Sequence, residues 1–403
     1  MLKSLRAVVR FKKFESDPIK RRLSKVANIE DLRNLARRRL PSGVFDYIDG
    51  AAEDERTYDR NEAGFAKIGF APRVLRGNAE IDTSTTLMGK HLPVPLVLAP
   101  TGFTRIAHSQ GELAVARSAA RAGLPYALST LGTRSIEEVA EAGDGDKWFQ
   151  VYVWKDRGLV DEMLDRAATA GYSTAVVTVD TATFGRRERD VRRGFTLPPR
   201  IGPGTIIDGI RHPGWSLDFI KAEPIMFANV TGGSVGDGSD PVSLAEYVAD
   251  QMDPGLSWED IDHFREQWPG KMTIKGIQTV ADAKIAVDHG IDAVILSNHG
   301  GRQLDDAPAP IDLLPSVADA LGGHTDIILD GGIRRGSDVV KAVSLGAKAC
   351  MFGRAYLYGL GAAGEQGVDF VLEHLVEGVE RTLSLIGCRS LDALGPEYLA
   401  DFR

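Results

Sequence analysis

The sequence predicts an α/β fold, a closed (β/α)8 TIM barrel with an N-terminal helical extension and a long insertion after strand 4. Three observations carry this. Between residues 93 and 355, eight short apolar runs rich in β-branched residues alternate with Ala-rich stretches of helical spacing; strands alternating with helices imply βαβ units in a parallel sheet, which eight repeats close into a barrel. Most of the runs end on a polar residue or a glycine or run directly into one, as the catalytic face of such a barrel requires. One gap, after the fourth run, is far longer than the others and marks an excursion.

Taken in order, residues 1–27 read as a basic tail and 28–403 as one barrel domain, with the insertion at about 198–257. The tail opens with Lys3, Arg6, Arg10, Lys12 and Lys13 and has no acid before Glu15. Charge interrupts it too often for a signal peptide, and Leu2, Leu5, Val8, Val9 and Phe11 could line a basic amphipathic helix at a membrane surface, the alternative being a solvated tail. A helical Ile29–Arg39 segment follows, then Pro41, the run Val44–Ile48, and a second helix near Glu53–Asn61 whose acidic start suits a helix N-terminus. The barrel strands are read as Leu96–Ala99, Tyr126–Ser129, Trp148–Val153, Ala175–Val179, Met272–Lys275, Ala293–Ser297, Ile327–Asp330 and Ala349–Phe352. Helices are read at Gly111–Ala122, Ser135–Ala142, Leu159–Ala170, Val280–His289, Ile311–Leu321 and Ser337–Leu345. In the long gap, Pro198 to Gly238 is rich in proline and glycine, yet it carries Ile206, Ile207, Trp215, Phe219, Ile225, Met226 and Phe227, too apolar for a disordered linker. Helical stretches near Leu244–Gln251 and Trp258–Gln267 close it.

Charge is mildly acidic, 48 Lys+Arg against 56 Asp+Glu, so nothing general favours a nucleic-acid partner. The two cysteines, Cys350 and Cys388, have no metal or disulfide spacing, and no metal site is expected. No stretch is long or apolar enough to span a bilayer, so a cytoplasmic protein is expected. The sequon Asn229-Val230-Thr231 carries no weight without a secretory signal.

The strand ends form one candidate site. They carry Pro100-Thr101-Gly102, Ser129, Gln150 with Tyr152, Thr178 with Asp180, Lys275, His299 with Arg302 in the turn that Ser297 opens, Asp330-Gly331-Gly332 with Arg334, and Gly353-Arg354. A lone histidine in a turn is usually a cap and a lone arginine usually solvated. Here a residue that exchanges protons near neutrality stands three positions from a planar fork of donors, in the company of a lysine and two aspartates. The last two turns are glycine-rich and lie after strands seven and eight, where barrels bind phosphate through backbone N–H groups, so a phosphorylated ligand is implied. The chain shows no dinucleotide-binding fingerprint.

These motifs, together with Phe45-Asp46-Tyr47, Gly185-Arg186-Arg187-Glu188 and Ser297-Asn298-His299-Gly300-Gly301-Arg302-Gln303-Leu304-Asp305, closely resemble the FMN-dependent L-2-hydroxy acid oxidase/dehydrogenase family, from about residue 28 to the C-terminus. Gly300-Gly301-Arg302-Gln303 and Gly353-Arg354-Ala355-Tyr356-Leu357-Tyr358-Gly359 are most similar to its bacterial L-lactate dehydrogenases. The resemblance implies FMN across the barrel mouth, its phosphate on Gly331, Gly332, Arg334, Gly353 and Arg354 and its ribityl chain near Asp330 and Ser297. The ring would lie over Pro100, Thr101 and Gly102, with Ser129, Gln150 and Thr178 touching it and Lys275 at its pyrimidine edge. It implies a substrate carboxylate on Arg302 and Arg187 with help from Tyr47, His299 as base, Asp180 as its orienting partner, and Tyr152 on the substrate oxygen.

L-Lactate is the expected substrate and a quinone the expected acceptor at the inner face of the membrane, with an oxygen-reducing oxidase as the alternative. A homotetramer is implied by the resemblance alone. Two departures stand out. Gly102 replaces a common alanine, which would enlarge the space beside the flavin, and Thr181-Ala182-Thr183-Phe184-Gly185 replaces a proline-containing turn, which leaves the path of that loop open. An isomerase-type phosphate barrel would not need His299, Arg302 and Asp180 together, and a non-catalytic flavin scaffold would have lost the base or the clamp.

Overall fold

A computed structural model describes residues 15–77, 80–194, 202–230 and 250–401. Its centre is a closed barrel of parallel strands, here β1 (Leu96–Leu98), β2 (Tyr126–Ser129), β3 (Lys147–Tyr152), β4 (Thr174–Thr178), β5 (Lys271–Ile277), β6 (Ala293–Leu296), β7 (Asp326–Asp330) and β8 (Ala349–Phe352). Each strand pairs with the next in sequence, and β8 closes on β1 with Cys350 opposite Leu96 and Phe352 opposite Leu98. The expected strands are all present, with ends differing by a residue or two.

The period of two along each strand decides what faces inward. Val97, Ala127, Trp148, Val176, Ile295, Ile328 and Met351 pack together inside the barrel, while their neighbours Leu98, Leu128, Phe149, Val177, Leu296, Leu329 and Cys350 join the larger core under the helices. Continuing the same alternation one step puts Ser129, Gln150, Thr178, Lys275, Ser297 and Asp330 on the inner side at the C-terminal ends. The opposite end is plugged by the hairpin Thr85–Leu87/Lys90–Leu92, whose Leu87 and Leu92 join the inner cluster. Met88 N–H donates to Asp326 at the foot of β7, 2.6 Å away.

The helices begin and end on the residue types that stop and start signals require. Ser135, Asp156 and Thr279 cap their helices with side-chain oxygens, and Gly123, Gly322 and Gly387 end theirs at φ of 67°, 56° and 73°. Pairing of Ile68–Phe70 with Leu399–Asp401 and the helices Arg354–Ala363 and Glu365–Ile386 complete the fold, and no run of the sequence had marked them.

Several expectations need correcting. Val44–Ile48 lies within a helix, Ser42–Asp49, and the second helix begins at Arg56 rather than Glu53. Glu53 and Glu55 sit at φ of 48° and 64°, forming a tight turn, and the helix is capped from a distance by Asp305, which accepts from Thr57 N at 2.8 Å and Arg56 N at 3.4 Å. The tail contains a helix, Pro18–Leu23, whose Arg22 donates to Ala362 O on the helix after β8. In the excursion, Pro203–Arg211 and Pro213–Lys221 are helices; Trp215 points inward, its Nε1 donating to Ile106 O at 2.7 Å, and Phe227 is buried against Phe103. The apolar side chains that do face outward among the described residues of the excursion are Ile206, Ile207, Ile210, Leu217, Ile220 and, to a lesser degree, Phe219. The first fourteen residues, Thr231, Gly232-Gly233, Pro198-Pro199 and nearly all of the Leu244–Gln251 stretch lie outside the described residues.

Candidate active site

β6 breaks into the turn Ser297–Gly301, where His299, Gly300 and Gly301 have φ of 56°, 64° and 75°. A histidine in the left-handed region is strained by about 1–3 kcal/mol and persists only where its surroundings insist on it. Here Asn298 does so: its carboxamide oxygen accepts from Gly301 N at 3.1 Å, and its side chain exchanges two hydrogen bonds of 2.9 and 2.7 Å with Asn61 and donates to Pro308 O at 3.0 Å. His299 N–H donates to Ser297 Oγ at 3.0 Å.

The imidazole Nδ1 lies 2.9 Å from Asp180 Oδ1, just past the end of β4. If Nδ1 carries the proton, Nε2 is left with its lone pair. Asp180 is buried and its second oxygen has no hydrogen-bond partner among the described residues. Burial pushes its carboxyl up, but His299 and Lys275 outweigh that and hold it below the ordinary carboxylate range. Space for the carboxylate comes from a bulge in β5 at Gly276, φ 111°, where a Cβ would lie 2.7 Å from that of Asp180.

Across the mouth, Arg302 lies over the Tyr47 ring at 5.1 Å and Arg187 over the same ring at 5.6 Å. Arg302 donates from Nη1 to Tyr47 O and Gly50 O at 2.7 and 3.0 Å. Burial, and the like charges of Arg187 and Arg354, push its guanidinium down to about 9. A buried cation flanked by like charges is relieved by an anion, so this corner suits a group such as a carboxylate. Tyr152 stacks beside His299 at 6.4 Å, and burial, with Asp180 nearby, raises its phenol so that it stays a donor.

On the far side, Lys275 Nζ pairs with Asp330 Oδ2 at 2.8 Å and donates to Ser297 Oγ at 3.0 Å, and Ser297 Oγ–H donates to the same Asp330 oxygen at 2.8 Å. Burial lowers the lysine's affinity for its proton, but Asp330 and Asp180 outweigh it and keep the ammonium charged. Ser129 Oγ donates to Gln150 Oε1 at 2.9 Å, while Gln150 Nε2 and Thr178 Oγ1 are buried without partners among the described residues.

Tyr47, Pro100, Thr101, Gly102, Tyr152, Arg187, Lys275, His299, Arg302, Asp330, Gly331, Gly332, Arg334, Gly353 and Arg354 line one cavity of about 500 Å³. Of the residues expected at the site, Ser129, Gln150, Thr178 and Ser297 are buried at the C-terminal ends of their strands and are not among the residues that line the cavity, and Asp180 lies against His299. Asn61, Gly276 and Gln303 went unmarked as site residues. The signal for Asn61 was a polar residue on the buried face of its helix, whereas nothing in the local pattern marks Gly276. A Cβ added at Gly102 would come within 3.1 Å of Leu131 Cβ.

Residues 36–401 match the family model described as FMN-dependent dehydrogenase. The chain is 44% identical over its whole length, and over 96% of the relative, to a Mycobacterium tuberculosis protein provisionally named L-lactate dehydrogenase. It is 38% identical to the glycolate oxidase of Spinacia oleracea, with 93% of this chain and 96% of that one covered. Among solved structures, that of the monotopic membrane protein (S)-mandelate dehydrogenase superposes with a TM-score of 0.90 at 40% identity, over 94% of this chain and 100% of that one.

Proposed function

The chain belongs to the FMN-dependent dehydrogenases, and from that premise we propose that it oxidises a small L-2-hydroxy acid, L-lactate to pyruvate before others, with a quinone as the acceptor of the electrons. The residues present fit the cofactor. Gln150 Nε2 and Thr178 Oγ1 are buried polar groups still without partners, suited to the edge of a flavin ring. Gly331 and Gly332, at φ of 124° and 82°, close so tightly on Asn61 that a Cβ on Gly332 would lie 2.1 Å from its carbonyl oxygen. With Gly353, Arg334 and Arg354 they would hold the phosphate, while Ser297 and Asp330 would take the ribityl chain and Ser129, Pro100, Thr101 and Gly102 would flank the ring. Bound there, FMN supplies the two-electron acceptor that no side chain provides.

Arg187 and Arg302 bind the substrate carboxylate beside Tyr47, which fixes the orientation of Cα. Tyr152 donates to the substrate oxygen. His299 Nε2 takes a proton from the substrate, and Asp180, facing Nδ1, stabilises the imidazolium so formed. Lys275 holds a positive charge at the inner end of the cavity, where negative charge develops. The observation that carries this reading is that the His299–Asp180 pair, the two arginines over Tyr47 and the Lys275–Asp330 pair converge on one cavity.

Anaerobic mixing of the holoenzyme with a panel of L-2-hydroxy acids tests it; L-lactate should bleach the flavin absorbance. A larger apolar substrate is favoured by one further observation, the edge-to-face pair Phe103–Phe227 at 4.6 Å on the cavity wall. Faster bleaching with an aryl hydroxy acid would move the assignment there.

The acceptor and location are read from the excursion. Its exposed apolar helices suit a lipid surface, and a quinone dissolved there would lie close to the mouth. Among the described residues no helix is long and apolar enough to cross a membrane, so the contact proposed is peripheral, at the inner face of the cell membrane.

A further inference from the structure

The loop after β4 carries both Asp180 and Arg187, and it has no proline between Thr181 and Gly185 to set its course. Across from it, the turn after β6 carries His299 and Arg302. One side chain joins the two. Gln303 Nε2 donates to Asp180 O at 3.2 Å and to Thr183 O at 2.9 Å, and its Oε1 accepts from Gly185 N at 3.0 Å. The loops meet closely beside it: a Cβ on Gly185 would lie 2.3 Å from Arg302 O and 2.4 Å from Gln303 O.

We propose that Gln303 is a positioning residue, whose carboxamide sets the register between the β4 loop and the β6 turn and so places the His299–Asp180 pair and the Arg187–Arg302 clamp at the same time. The inference rests on the function proposed above. Its physical basis is reach and polarity. A glutamine carboxamide offers donors and an acceptor in one plane, and here it answers two carbonyls and one N–H that the turn leaves unpaired along the loop. The amide follows directly after Arg302 in the chain, so any shift of the loop relative to Gln303 is a shift of Arg187 relative to Arg302. Because Asp180 O is one of its partners, the same shift moves the carboxylate that faces His299.

The test uses the holoenzyme and three variants. Gln303→Met keeps length and volume but removes the hydrogen bonds; Gln303→Glu keeps the acceptor for Gly185 N but turns a second oxygen toward two carbonyls; Gly185→Ala forces the same junction apart without touching the amide. Two readouts are taken for each: the rate of anaerobic flavin reduction as a function of pH, and the Kd of pyruvate from the flavin spectrum of the oxidised enzyme. A displacement of about 1 Å at reacting groups costs on the order of 100-fold. The expected result for Gln303→Met is flavin reduction slowed on the order of 10- to 100-fold, a several-fold weaker pyruvate Kd, and a pH profile whose acid limb moves to lower pH as Asp180 supports the imidazolium less well. Gly185→Ala should show the same triple signature and Gln303→Glu a larger one. A Gln303→Met enzyme with wild-type pyruvate affinity and an unshifted pH profile overturns the proposal, even if it turns over slowly. Failure of the parent reading looks different, since the wild-type holoenzyme would then not be reduced by any L-2-hydroxy acid while pyruvate affinity still reported on the clamp.

Discussion

His299 and Arg302 sit three residues apart, and each depends on contacts that the sequence places far away. The histidine is held at φ 56° by Asn298 and, through it, by Asn61 on the N-terminal extension. Its replacement by glutamine keeps most of the polar volume and removes the base, so flavin reduction by L-lactate should slow by on the order of 10²–10⁴-fold while FMN stays bound, as stopped-flow absorbance will show. Reduction at the wild-type rate would falsify the role given to His299. Arg302→Lys is a separate test. A lysine keeps the charge but has no planar fork to span the carbonyls of Tyr47 and Gly50 and still meet a carboxylate. Both KM and kcat should worsen, and a lysine variant with an unchanged KM would remove Arg302 from the clamp. At this scale the sequence is most legible where chemistry demands a residue type. His299, Asp180, Lys275 and the arginines announce themselves at strand ends, whereas Gly276 matters only because Asp180 from another strand stands against it, a fact with no local trace.

At the scale of elements, the helix Ser42–Asp49 brings Tyr47 over the mouth, and Asp49 at its end ties it down. The carboxylate accepts from Arg33 at 2.6 and 2.9 Å, from Arg189 at 2.8 Å and from the Tyr358 hydroxyl at 2.8 Å. Burial pushes Asp49 up, but Arg33, Tyr358 and Arg189 outweigh it and hold it at about 2. A folded value below the unfolded one of roughly 3.9 means that the group contributes stability above pH 4 and that this is lost as pH falls from about 4 to 2. The contribution is on the order of 2 kcal/mol. Asp49→Asn should therefore destabilise the holoenzyme at pH 7 and flatten the fall in stability between pH 4 and 2, measured by urea unfolding at stepped pH. A variant with the parent slope in that window would show that other carboxylates govern it. The strands and most helices were legible because period and caps are local signals. The start of the helix Arg56–Ala66 was misplaced because its cap, Asp305, lies about 250 residues away in sequence. The pairing of Ile68–Phe70 with the C-terminal strand escaped for a similar reason, since a three-residue strand is defined by its partner and not by its own pattern.

For the whole molecule, the question is why an acidic protein of net charge −8 carries an apolar surface beside its active site. The helices Pro203–Arg211 and Pro213–Lys221 are fastened to the barrel largely by polar groups: Asp208 accepts from Ser42 N, Asp218 from Ser109 N and Oγ, and Trp215 donates to Ile106 O. Their aliphatic side chains point the other way, with Ile206, Ile207, Ile210, Leu217 and Ile220 between 52% and 76% exposed. That inverts the usual surface helix, which buries its apolar stripe and shows its charges. A patch of this kind beside a redox site fits a lipid surface, with Arg211 and Lys221 at the helix ends available to anionic headgroups. The holoenzyme should co-sediment with vesicles containing anionic lipid, less so as salt rises. The pair Ile207→Asp and Ile210→Asp should abolish that binding and leave flavin reduction by L-lactate unchanged, because neither residue lines the cavity. Reoxidation of the reduced enzyme should be much faster with a quinone analogue in those vesicles than with air-saturated buffer, and the advantage of the vesicle-borne quinone should disappear in the double variant. Rapid, stoichiometric peroxide formation by an enzyme that ignores vesicles would make it an oxidase and leave the outward helices as a surface between copies of the chain.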